Sequence, residues 1–177
     1  MKSIISLLVL IICLNTNPVQ AAEKIGVILM HGKGGTSRPK SPIGKLSHFL
    51  ESNGVLVFAP DMPWSRNRGY DRTFAESMQE IDKEVKKLRQ KGASKIVVGG
   101  HSLGANAALG YGTRSDEIAG ILAIAPGHLP ESGEFQSFIG HDWKRAKEMV
   151  KSGNGDQKAK FKDLNQGRKS SKTMKAK

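Results

Sequence analysis

The stretch Lys95 to Gly110, KIVVGGHSLGANAALG, constrains this chain more than any other. Lys95-Ile96-Val97-Val98 has strand character and runs into Gly99-Gly100-His101-Ser102-Leu103-Gly104, after which Ala105, Ala107, Ala108 and Leu109 read as a buried small-residue helix. A serine in G-x-S-x-G between a strand and a helix sits on a sharp turn that strains its backbone and projects its hydroxyl clear of the sheet. Gly100 and Gly104 lack the Cβ atoms that would clash where strand and helix cross. The N–H of Leu103, at the helix start, has no partner within the helix and can donate to a developing oxyanion. This context predicts Ser102 as a nucleophile. Taken without its flanks, the pentapeptide is equally an exposed serine in a glycine-rich turn.

The chain around it alternates strand-like and helix-like segments, which predicts an α/β fold with a mainly parallel sheet and flanking helices. Lys24 to Met30 (KIGVILM) is a continuous apolar strand, as expected where both sheet faces are covered. Ser41-Pro42 starts a helix with Ile43, Leu46, Phe49 and Leu50 on its apolar face. Val55 to Ala59 is a second short strand. Phe74, Met78, Ile81, Val85 and Leu88 then mark the clearest helix of the chain, with Thr73 and Glu76 as its capping box. Gly120 to Ala125 is a fourth strand.

G-H-S-L-G-A after I-V-V, together with I-L-M-H-G-K-G-G at 28–35 and F-A-P-D-M-P-W at 58–64, resembles the α/β-hydrolase superfamily over roughly residues 24 to 130. The resemblance implies hydrolysis of an ester-like small molecule, without a cofactor, through Ser102. It also implies a second oxyanion donor just past the His-Gly pair, at Lys33 or Gly34. A phosphate-binding loop competes for Gly32-Lys33-Gly34 but fails on spacing: five residues separate Gly26 from Gly32 where four are needed, and Gly34 stands where Ser or Thr would hold magnesium. His31, at the strand end, is read as a structural residue beside the pocket rather than a base. Asp61 and Trp64, after the second strand, are candidates for a substrate wall. An Asx-type turn with a half-buried tryptophan accounts for the same residues.

In the resembled family a catalytic acid and then a histidine follow on later strands. After Gly127 the only β-branched residues are Ile139, Val150 and Thr173, so the sequence predicts that the last strands are lacking. His128 is the candidate base, because it follows a strand end on the side of the sheet where Ser102 stands; His141 is second. Three readings stay open: a truncated hydrolase, a shortened enzyme with a substitute base, or an inactive remnant retaining a binding pocket. A four-stranded parallel sheet leaves an edge bare, which predicts self-association through it or marginal folding.

Lys2, the apolar run Ile4 to Leu14 and Val19-Gln20-Ala21 read as a signal peptide over residues 1–21, giving a periplasmic or secreted protein with no stable membrane insertion after cleavage. The single cysteine, Cys13, would leave with it, so the mature chain could form no disulfide. The hydrolase-like domain then spans 22–150. Residues 151–177 are polar and lysine-rich and predict a disordered tail. The chain is formally +12, and residues 141–177 hold twelve Lys/Arg against four Asp/Glu. Such a tail can meet anionic surfaces, but no nucleic-acid module accompanies it, and no Cys/His cluster or H-E-x-x-H supports a metal site.

Overall fold

The computed structural model describes residues 23–127, 132–165 and 167–177. Four strands, β1 (Ile25–Met30), β2 (Leu56–Phe58), β3 (Lys95–Ser102) and β4 (Gly120–Pro126), form one parallel sheet in the order β2-β1-β3-β4. Helix α1 (Pro42–Ser52) covers one face; α2 (Phe74–Gln90) and α3 (Leu103–Gly112) cover the other. The expected α/β architecture is therefore present.

The pleat of β1 distributes its side chains between two cores. Val27 and Leu29 pack with Ile43 and Val57 on the α1 side. Ile28 and Met30 pack on the other with Met78, Ile81, Val85 and Leu88 of α2. Each such side chain contributes about 1.5–3 kcal/mol on leaving water. β1 thus reads as an unbroken apolar run because neither face meets solvent.

Both predicted caps form. Ser41 Oγ accepts the Gly44 N–H at 3.0 Å, and Thr73 and Glu76 complete a reciprocal capping box. Phe49 is a correction: it is 62% exposed, and Ser47 takes the buried position between Ile43 and Leu50. The Tyr111 hydroxyl donates to Asp82 Oδ1 at 2.6 Å and ties α3 to α2. Burial first, then this hydrogen bond, pushes the Tyr111 phenol up to about 12 from 10.0. A folded pKa above the unfolded one gives stability that is complete below pH 10 and is lost as pH rises through 12. Tyr111→Phe is expected to cost about 1 kcal/mol at neutral pH. It should also make the alkaline fall in stability shallower, read from urea midpoints across that range.

Among the described residues no strand pairs with the outer edge of β4, where Ile121 and Leu122 are 41% and 38% exposed. The tail differs from expectation. Helix α4 (Gly133–Lys151) is followed by an antiparallel hairpin of β5 (Lys158–Asn165) and β6 (Arg168–Lys175), not by disorder. The reason is a period of two that a search for β-branched residues passes over. Lys158, Lys160 and Lys162 point one way, while Ala159, Phe161 and Asp163 point the other, with Phe161 and Asp163 buried. Gly167, at φ +74°, supplies the turn. The outer edge of β5 is held by α4: Asp142 accepts the Lys162 N–H, and Arg145 donates to the Lys160 carbonyl. No described helix is long and apolar enough to cross a membrane.

Candidate active site

Ser102 is the last residue of β3 and the N-cap of α3, with φ 53° and ψ −117°. A non-glycine residue held there costs about 1–3 kcal/mol and persists only where its surroundings fix it. Here they do. A Cβ on Gly104 would lie 2.5 Å from the Met30 carbonyl oxygen, and one on Gly100 2.6 Å from the same atom. Strand β1, strand β3 and the first turn of α3 therefore meet backbone to backbone, and only glycine admits that approach. The β3–β4 register also shifts at His101/Ser102, where Ala125 takes φ 42°. That kink brings Pro126 opposite Ser102 and Gly127 beside it. Gly127 donates its N–H to Asn106 Oδ1 at 2.9 Å, and a Cβ on Gly127 would stand 3.7 Å from Ser102 Oγ. His128 follows directly in sequence but lies outside the described residues.

The two oxyanion candidates in the loop after β1 separate cleanly. The Gly34 N–H is donated to the Trp64 carbonyl at 2.8 Å, so Gly34 is not the donor. Lys33 is left as the candidate in this loop, beside Leu103 at the first position of α3.

His31, Asp61 and Trp64 form one structural cluster. The ring of His31 meets the Gly32 carbonyl through Nδ1 at 2.8 Å and accepts the Met62 N–H at Nε2 at 3.1 Å, which assigns its proton to Nδ1. Trp64 donates its indole N–H to the His31 carbonyl at 2.7 Å and is 4% exposed. Asp61 lies 3.5 Å from His31 Nε2 and accepts from Asn67. Asp61 and Trp64 line neither cavity at Ser102, so the substrate-wall expectation fails for both. A tryptophan with one buried hydrogen-bond partner is worth more as a clamp on the β1 end than as an exposed wall. His31 touches only the smaller cavity, of about 250 Å³. Arg68, in the loop before α2, donates to Glu80 through two 2.7 Å hydrogen bonds and pairs with Asp71, and its guanidinium is held charged by the Glu80 pairing.

Ser102 opens on a cavity of about 670 Å³ that the sequence alone did not reveal. Phe135, Ile139 and Trp143 of α4 and Phe161 and Leu164 of β5 supply its apolar walls. The hairpin is tied to the oxyanion loop by Lys33 Nζ, which pairs with Asp163 and donates to the Leu164 carbonyl at 3.1 Å. Lys33 is thus a largely buried ion-pair partner. Burial, reinforced by the charge of Asp163, pushes the phenol of neighbouring Tyr70 well above its ordinary range. No described histidine lines this cavity. His141 has a side chain 83% exposed, turned to Asp142. The signal that would have found Asp163 and Phe161 is the alternation in Lys158–Asn165; Asn106 and Gly127 carry no sequence signal of their own.

A parallel sheet ordered β2-β1-β3-β4, with a strained serine between β3 and the following helix and glycines at the crossing, defines an α/β-hydrolase. More narrowly, the family described as Serine aminopeptidase, S33 (Hydrolase_4) matches over residues 21–174, and the chain belongs to it. Among solved structures, the Paleococcus ferrophilus monoacylglycerol lipase is similar at 30% identity and a TM-score of 0.51, over 73% of this chain and 48% of that one. A protein described as a hydrolase from Agrobacterium vitis S4 matches at 17% identity and a TM-score of 0.56, over 85% of this chain and 58% of that one. The chain thus spans about half the length of these two structures. None of the curated proteins matches it.

Proposed function

We propose that this chain is an exported serine hydrolase that cleaves ester-like bonds of small apolar molecules. The backbone of Ser102 carries the reading: a nucleophile's strained conformation, facing an apolar cavity. The Ser102 hydroxyl attacks the carbonyl carbon and its proton passes to a base. The Leu103 and Lys33 N–H groups receive the negative charge on the carbonyl oxygen; the tetrahedral intermediate then breaks the ester C–O bond, and the alcohol leaves with the proton held by the base. Water, giving its proton to the same base, attacks the acyl-serine, and the acid departs as the serine hydroxyl is restored. His128 is assigned as the base, since its neighbour Gly127 approaches Ser102 Oγ and the other candidate, His141, is turned to solvent. Residues 1–21 are assigned as the export signal, and the mature protein to the periplasm or the medium. The test is a fluorophosphonate probe read by intact mass, beside Ser102→Ala. One adduct per chain is expected, absent in the variant, on a protein beginning at Ala22.

A second reading is favoured by one observation, the absence of a described histidine in the larger cavity. On it the chain retains a binding pocket without turnover. A folded protein that takes up no probe would establish that reading and overturn the first.

A further inference from the structure

We propose that the lysine face of the β5–β6 hairpin is a docking surface for an anionic phospholipid bilayer, and that it sets the mouth of the Ser102 cavity against that surface. In an antiparallel ribbon directly opposed residues share a face. Lys158 opposes Lys175, Lys160 opposes Thr173, Lys162 opposes Ser171 and Leu164 opposes Lys169, so five lysines stand on one side. The other side is fixed inward by Phe161 and Asp163, 8% and 7% exposed. That side also carries Lys172, opposite Phe161, and Arg168, opposite Asn165, both exposed, so the five-lysine side is the more densely basic of the two.

Most acids of this region are consumed elsewhere. Asp163 serves Lys33, and Asp142 serves the Lys162 N–H and Arg145; Asp156 does reach this face, pairing with Lys175 as well as with Lys177. Lys158 and Lys160 have no carboxylate partner among the described residues, and residues 141–177 keep their excess of twelve basic over four acidic side chains. Lysines in such an array gain about fivefold each in partition onto an anionic leaflet.

Position favours lipid over nucleic acid. Lys162 and Lys175 belong both to this face and to the lining of the apolar cavity, so the basic surface and the cavity mouth are continuous. Trp143 lines the same cavity, is 53% exposed, and carries the Lys147 ammonium 4.1 Å from its ring centroid. An exposed tryptophan beside lysines suits the headgroup region. Phe138 lies beneath Lys162 and Lys169 and offers no free platform for stacked bases.

The inference does not rest on turnover, because its test reads binding alone. The full chain is sedimented with vesicles of phosphatidylcholine, with and without about one third phosphatidylglycerol. Binding is expected to the anionic vesicles in excess of the neutral ones, and to fall towards the neutral level in about 0.5 M salt. The triple variant Lys158→Gln, Lys160→Gln, Lys169→Gln should lose about a hundredfold in that partition, with its thermal transition unchanged, while the three Lys→Arg substitutions keep it. Equal binding to both vesicles, or a triple variant that binds as the parent does, would overturn the proposal. So would duplex DNA that displaces the chain from anionic vesicles.

Discussion

Ser102→Ala is expected to lower ester hydrolysis by about 10⁴-fold or more, and His128→Ala to lower it as far. The size follows from what each removes. Without the serine no acyl-enzyme forms, and water must attack with help from the oxyanion donors alone. Without the base, the serine remains protonated at neutral pH and is a poor nucleophile. The two losses should not add: the double variant is expected to match either single one, since each abolishes the same step. His141→Ala should leave the rate unchanged, as its side chain faces solvent. The comparison is made on kcat/KM with a short-chain activated ester, with thermal transitions recorded alongside. Should His128→Ala keep the parent rate and the parent's probe labelling, His128 is not the base. Loss of rate in His128→Ala with an unchanged transition would locate the general base in a chain whose four-stranded sheet has no described strand beyond β4.

What could be read from sequence was set by how local each signal is. The strand–serine–helix turn is local: an apolar run, glycines at fixed offsets and small residues after them determine it, and Ser102, Gly100 and Gly104 stand as expected. Strand and helix periods of β1 and α2 are local too. The function of a loop residue is not. Asp61 and Trp64 sit where pocket residues belong in open α/β sheets, yet the direction of each side chain depends on which backbone group captures it. The His31 carbonyl captures the indole. The Gly34 N–H, a candidate oxyanion donor, is captured in the same way by a carbonyl 30 residues on, at Trp64. The hairpin was missed for a different reason. Its stability comes from a single buried ring, a buried carboxylate and the side chains of α4 along its edge, so its alternation is written in lysines rather than in β-branched residues. Composition described it as disordered because composition carries no phase.

Gly104→Ala is expected to destabilise the fold by about 3 kcal/mol, at the upper end for a single added methyl group. In a domain of this size that lowers Tm by roughly 6–12 °C. Helix propensity argues the other way, since alanine is better than glycine inside a helix by about 1 kcal/mol. The neighbours decide. At Gly104 the new Cβ would meet the Met30 oxygen at 2.5 Å and the His31 oxygen at 2.8 Å. Both belong to backbone, and Met30 is fully buried and paired with Gly100 of β3. The Met30 oxygen cannot give way without disturbing the β1–β3 pairing, nor the His31 oxygen without breaking its hydrogen bond from the Trp64 indole, so α3 must shift off β1 instead. Gly110→Ala makes the same chemical change six residues along the same helix, where the nearest atom is the tip of Phe74 at 3.0 Å, on a side chain that is 50% exposed. There the ring can swing aside, and the substitution should be neutral or stabilising by up to about 1 kcal/mol. The pair separates collision from propensity. A Gly104→Ala protein as stable as Gly110→Ala would mean that α3 does not rest against the end of β1. If the collision is real, the shift also carries the Leu103 N–H away from the proposed oxyanion position. Probe labelling of the residual folded protein should then slow as well, well below its melting range. That second effect ties the glycine to the chemistry: the close approach that forbids a side chain is also what aims the first N–H of the helix.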